Sequence, residues 1–229
     1  MDTNNRLIDA LPGKHRQALL SNCHAIELSG GEVLSEPEQP IHHVHFPTAS
    51  YISLIVPVNQ TAGIEVGMVG DEGMLGLPLV LGMPASPLRA LVQGSGPAWR
   101  MKTSVFIHTL KHSPPLQHLL HRYLYVVLTQ LTQTAACTRF HVVEARLARW
   151  LLMTQDRAHS DHLHVTQELL AYMLGVRRVG ITKAATSLQQ QGLIHYRRGE
   201  ITIANRPGLE AAACDCYAAD CSTYARVLG

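Results

Sequence analysis

A chain of 229 residues, 46% of them hydrophobic and 16% charged, is long enough for two domains with cores of their own and too apolar to be disordered. A net charge of +2 excludes a uniformly basic coat, so any contact with a polyanion must be made by a local face. Five cysteines, an odd number, and a polar N-terminus with no apolar leader argue against a disulfide framework and make a cytoplasmic location the expectation.

In chain order, residues 4–22 predict a small helix. Short strands are predicted at 26–28, 32–34, 43–46, 51–56, 64–69, 88–92 and 98–101. Turn residues punctuate them: Gly30, Gly31, Pro47, Asn59, Gly63, Gly70, Gly94 and Gly96. Many short strands with regular turns imply a jelly-roll or barrel-like β-domain, capped by the helix and ending near residue 113.

Pro114 and Pro115 suit the start of a long helix over 114–139, because Pro at the first helical positions sacrifices no hydrogen bond. Leu120, Leu124, Val127, Leu131, Thr134 and Thr138 follow a heptad rhythm, and Leu119, Tyr123 and Val126 make a second stripe that can lie against the β-domain. Two stripes predict a dimer helix with Leu120, Leu124, Val127, Leu131 and Thr134 at the seam; burial within its own monomer is the other reading. His118, His121 and Arg122 exclude a membrane span.

Residues 140–229 carry the most informative stretch. Thr166 is a predicted N-cap, and Leu169, Leu170, Met173 and Leu174 give a helix one apolar face. Gly175 supplies the positive φ of a sharp helix end. A second helix has Ile181, Ala184, Ala185 and Leu188 inside, with Arg177, Arg178, Thr182, Lys183 and Thr186 on or near its outer face, and Gly192 ends it. Residues 193–196 and 201–203 are strands joined through Arg198 and Gly199. A helix-turn-helix followed by a wing places one helix in a DNA major groove, with the basic N-terminal half of that helix at the base edges.

Cys214, Cys216 and Cys221 match no standard zinc pattern, and a single residue between the first two makes chelation awkward, so no metal is expected. Packing of the last helix by Cys214 and Tyr217 is the plainer reading. No phosphate-binding Gly-rich loop and no nucleophile elbow occurs, which excludes those enzyme classes; Asp71 and Glu72 lack a clear acid–base partner.

The order of β-barrel, long helix and winged helix-turn-helix resembles the Crp/Fnr family of bacterial transcription regulators, over nearly the whole chain. Arg146-Leu-Ala-Arg-Trp-Leu-Leu152 is similar to the helix after that family's hinge, here near residues 138–142. Leu174-Gly175-Val176-Arg177-Arg178 through Gln191-Gly192-Leu193-Ile194 is similar to its recognition helix and first wing strand. The resemblance implies an α+β architecture: a double-stranded β-helix or jelly-roll sensory barrel (1–113), a dimerisation helix (114–139) and a C-terminal winged helix-turn-helix (140–229). It implies a homodimer on a palindromic operator, with RNA polymerase as a further partner and no membrane.

The family commonly reads bases with Arg, Glu and a later Arg. Aligned positions here are Arg178, Val179 and Lys183, so Val179 cannot accept from cytosine and the operator should differ. Arg177 and Thr182 are the candidate substitutes, and Thr166, Gln167 and Arg198 are candidate phosphate contacts. Effector-pocket candidates are Glu72, Met74, Leu88, Arg89 and Leu131. Met74 stands where cyclic-nucleotide-binding members have Glu, and Leu88 where they have the phosphate-gripping Arg, with Arg89 one place along. No cAMP binding is therefore expected. Iron–sulfur sensing would need an N-terminal cysteine cluster, and only Cys23 is there. Haem ligation by His42, His43, His45, His108, His112, His118 or His121 has no supporting motif. No cofactor is expected, and the effector is not legible. The alternative function is a β-barrel small-molecule-binding protein whose winged helix serves protein contacts.

Overall fold

A computed structural model describes residues 3–59 and 62–229. The chain divides into two compact units. One comprises Met1–Leu54, Gly67–Leu128 and Tyr224–Gly229, and the other Ile55–Val66 and Thr129–Thr223. The division falls inside the long helix, and the break after that helix near residue 141 lies within the second unit.

The first unit begins with α1 (Arg6–Asp9) and α2 (Gly13–Leu20), where one helix is predicted. Pro12 precedes α2 with extended ψ and separates the two. The strands β1 (His24–Leu28), β2 (Val33–Ser35), β3 (His43–Pro47), β4 (Tyr51–Pro57), β5 (Gly63–Val69), β6 (Arg89–Gly94) and β7 (Gly96–Lys102) each overlap a predicted one. They form two sheets, ordered β1-β7-β3 and β2-β6-β4-β5, with antiparallel pairing of β7 to β1 and β3 and of β2 to β6. Leu28, Ile52, Val69, Ala90, Val92 and Ala98, drawn from both sheets, share one apolar cluster. The β6–β7 turn depends on Gly96, whose φ is +150° and where a Cβ would meet Ala49 O at 2.9 Å.

A second cluster lies between β3, β7 and the helices. Val44, Phe46, Met74 and Met101 pack with Leu7, Ile8, Leu19, Phe106, Leu116, Leu119, Leu120 and Tyr123. Phe106 belongs to α3 (Thr103–Lys111), a helix the sequence reading did not propose, and the others from Leu116 onward belong to α4 (Pro114–Phe140). Each such fully buried side chain contributes roughly 1.5–3 kcal/mol.

The predicted seam of α4 needs correction at Leu120. That side chain is fully buried in its own chain's core, alongside Leu119, Tyr123 and Val126, and cannot be offered to a partner. Leu124, Val127, Leu131 and Thr134 are half-buried, Val127 against the same core. Thr134 Oγ1 accepts from Arg149 Nη2 at 3.1 Å. The exposed heptad stripe lies one residue further on: His121, Tyr125, Leu128, Thr132 and Ala135. With Leu119 and Leu120 both apolar, periodicity alone could not say which stripe the barrel would cover.

In the second unit, α5 (Val143–Ala158) buries Leu147, Leu151, Leu152 and Trp150. Trp150 Nε1 donates to Glu65 Oε1 at 3.0 Å, which satisfies the indole on burial. Then follow β8 (His162–His164), α6 (Gln167–Leu174), α7 (Arg178–Gln190), β9 (Ile194–Arg197), β10 (Glu200–Ile203), α8 (Arg206–Ala212) and α9 (Cys216–Leu228). The wing sheet has the order β8-β10-β9, one strand more than predicted. β8 escaped the sequence reading because it is three residues long and only Leu163 is buried. No helix among the described residues is long and apolar enough to cross a membrane.

Candidate nucleic-acid interface

The helix-turn-helix is built by local signals that the structure bears out. Thr166 caps α6, its side chain accepting from Leu169 N at 3.2 Å. Gly175 ends α6 in the left-handed region at φ +62°, and a Cβ there would meet Ile64 Cδ1 at 3.2 Å, so both backbone and space favour glycine. The Leu174 carbonyl accepts from the buried Arg146 guanidinium of α5, which ties the turn down from below. Leu170, Met173 and Leu174 are buried, Leu169 only partly.

Arg177 takes the N-cap position of α7. Ile181, Ala184, Ala185 and Leu188 are buried, while Arg177, Arg178, Val179, Thr182, Lys183 and Thr186 are exposed. Three cations at the N-terminal half of one helix add to the positive end of its dipole and face solvent.

Two polar bridges join α6 to α7. Arg178 Nη1 lies 2.8 Å from Glu168 Oε1, and Thr182 Oγ1 donates to Gln167 Oε1 at 2.8 Å. Both members of the ion pair are about two-thirds exposed, so the pair orients Arg178 more than it stabilises the fold. Glu168 was missed by the sequence reading. It lies ten positions before Arg178, beyond any i,i+4 rule, and only the turn at Gly175 brings them together.

The wing turn places Arg198 at φ +53° and Gly199 at φ +86°, the two positive values that a type I′ hairpin demands. Val165 N donates to Gly199 O at 2.7 Å, and Tyr196 donates through its hydroxyl to Val165 O at 3.0 Å. Burial, with Glu168 nearby, pushes the Tyr196 hydroxyl above its usual range, so it stays a donor. A side chain at Gly199 would come within 3.8 Å of Thr166 Cγ2. The wing tip and the start of α6 are therefore neighbours, which brings the turn that carries Arg198 close to Thr166 and Gln167.

The effector-pocket candidates do not behave as one set. Met74 is sealed in the apolar core. Glu72 is buried, with Oε2 accepting from Gly70 N at 3.1 Å. Leu88 is half-buried, and Arg89 Nε is paired with Glu36 Oε2 at 2.8 Å. Leu131 belongs to the second unit. His45 is buried and its ring is pulled down to about 4, chiefly by burial and then by His43 and Arg100, which holds it neutral.

Tyr217 does pack the last helix, donating to Asp156 Oδ2 at 2.9 Å and accepting from Arg206 Nη2 at 2.6 Å. Cys221 is exposed, whereas Cys214 and Cys216 are buried against Cys137 and His141.

Residues 145–212 match the family model of the Crp-like helix-turn-helix domain. No curated protein matches the chain's sequence. Among solved structures, the chain is similar to a putative transcriptional regulator of the Crp/Fnr family from Eubacterium rectale, with a TM-score of 0.72 at 16% identity over 92% of this chain and 99% of that one. It is also similar to FixK2 from Bradyrhizobium japonicum, with a TM-score of 0.70 at 14% identity over 84% and 98%. A third is the c-di-GMP-responsive global regulator CLP of Xanthomonas campestris, with a TM-score of 0.69 at 16% identity over 84% and 99%.

Proposed function

We propose, for a chain that carries a Crp-like helix-turn-helix domain within the fold of the Crp/Fnr transcription regulators, that it binds a palindromic DNA operator as a homodimer. The observation that carries this reading is the exposed cationic face of α7, flanked by the wing arginine Arg198 and the cap residue Thr166. Arg178 reads a guanine in bidentate fashion, Lys183 donates to a guanine or a phosphate, and Arg177 and Thr182 supply further base-edge contacts. Val179, 59% exposed, has no polar group and suits the methyl of a thymine. Thr166, Gln167 and Arg198 hold phosphates and set register.

Dimerisation is supported by the exposed apolar residues Tyr125 and Leu128 on the heptad stripe of α4. A signal received by the β-domain shifts the population of dimers whose recognition helices are one DNA turn apart, and the bound dimer then acts on RNA polymerase. That signal is not cAMP: Met74 stands in the core where a ribose acceptor would be needed, and Arg89 is engaged by Glu36.

Selection of duplexes from a random library by the purified protein, with no ligand added, tests the reading. An enriched palindrome is the expected result. The exposed Val179 favours a second reading, in which the winged helix docks a protein. Duplex affinity that is weak and indifferent to salt would select that reading, because phosphate contacts release counterions.

A further inference from the structure

Cysteines that the DNA-reading surface leaves unused converge elsewhere in the second unit. Cys137 lies in the last turns of α4, and His141 follows one helical turn later, its N–H still bonded to the Cys137 carbonyl at 3.1 Å. Cys216 opens α9, and Cys214 precedes it by two residues. Spacing by one residue is awkward on a straight strand, but here the chain turns at Asp215, with Tyr217 N donating to Cys214 O at 3.1 Å, and both sulfurs join one cluster. Three sulfurs and one ring nitrogen of His141 all lie within 4.8 Å of one another.

Two of the six separations are already those of a coordination shell. Cys137 Sγ and Cys214 Sγ are 3.5 Å apart, and Cys216 Sγ is 3.4 Å from His141 Nδ1. A tetrahedral zinc ion with ordinary metal–sulfur and metal–nitrogen bonds has edges of about 3.5–3.8 Å. We propose that Cys137, His141, Cys214 and Cys216 form a closed, structural Zn2+ site that pins the end of α4 to the start of α9.

The surroundings fit that ion. All three cysteines are buried, which shields the thiolates from oxidation and leaves no room for an open catalytic position. Gln133 Nε2 donates to Cys216 Sγ at 3.0 Å, as outer partners do to metal-bound sulfur. Three thiolates and Zn2+ leave one net negative charge. The buried Arg149 guanidinium is close enough to Cys137 to act on it electrostatically and so offsets part of that charge. Metal entry releases the thiol protons to solvent. A Cys137–Cys214 disulfide would use two of the four groups and leave the third thiol and the imidazole facing each other without purpose.

The site does not depend on DNA reading, and its test is a metal titration. Full-length protein is purified under reducing conditions, stripped with a chelator and titrated with Co2+, then Zn2+. One Co2+ per chain is expected, with thiolate-to-cobalt charge transfer and the d–d bands of a tetrahedral ion, displaced by Zn2+. Cys137→Ser and Cys216→Ser should each weaken binding by at least about 100-fold, more than is typical for loss of an outer partner, while Cys221→Ser leaves it unchanged. Absence of the charge-transfer band in the wild-type protein overturns the proposal without recourse to any variant. So does a native Cys137–Cys214 disulfide that resists metal, or an iron–sulfur chromophore that requires Cys221.

Discussion

Arg149 and Asp220 form an ion pair sealed inside the second unit: Nη2 stands 2.7 Å from Oδ2, and each side chain is only 7% exposed. The pair links α5 to α9 and extends through Arg149 to Thr134 of α4. Burial pushes the Asp220 carboxyl up while Arg149 pulls it back, and its Oδ1 has no hydrogen-bond partner among the described residues. Arg149→Met would strand a buried carboxylate, and a cost of about 3–5 kcal/mol is expected in urea unfolding. The double variant Arg149→Met/Asp220→Leu should recover most of it. A single variant as stable as the wild type would remove the pair from the account of what holds α9.

Base reading and phosphate gripping should separate by mutation. Arg178→Ala is expected to cost about 1–3 kcal/mol on the selected operator and to relax preference at one half-site position. Arg198→Ala should weaken all duplexes alike and lower the salt slope by about 1. An Arg178→Ala protein that enriches the same half-site would refute the base assignment.

Glu168 holds Arg178 at 2.8 Å and also puts a negative charge beside the proposed DNA surface. Glu168→Gln removes both effects. Binding to random duplex at low salt should tighten by up to about 5-fold, the scale of an exposed ion pair, while discrimination between operator and random sequence declines. Unaltered discrimination, measured by competition, would show that Glu168 does not orient Arg178.

The two leucines Leu120 and Leu128 should behave oppositely, because one is fully buried and the other 53% exposed. Leu120→Ala is expected to destabilise the chain by about 2–5 kcal/mol and leave association unchanged. Leu128→Glu should leave the fold intact and dissociate the dimer, read by sedimentation. A monomeric wild-type protein would refute the α4 stripe as a dimer face.

His45 makes stability depend on pH. The folded chain holds it neutral down to about 4, while its ordinary value is 6.5, so the unfolded chain binds the proton first. The stability tied to this residue is therefore whole above pH 6.5 and drains away as pH falls to about 4, by on the order of 3 kcal/mol. His45→Gln should flatten the dependence of the urea midpoint between those limits. An equal slope in both proteins would place the effect elsewhere.

The seven strands of the first hundred residues, the helix-turn-helix and the β9–β10 hairpin were legible in the sequence. These rest on short-range physics: short runs bounded by turn residues along β1 to β7, the Thr166 cap, the positive φ at Gly175, Arg198 and Gly199, and the inner face from Ile181 to Leu188. Tertiary structure alone decided which stripe of α4 the barrel covers, that Glu168 reaches Arg178, that β8 completes the wing sheet, and that Cys137 and His141 meet Cys214 and Cys216. The reason is common to all four. Periodicity tells which residues share a face of an element, but what lies against that face comes from chain distant in sequence, through contacts that no local rule encodes.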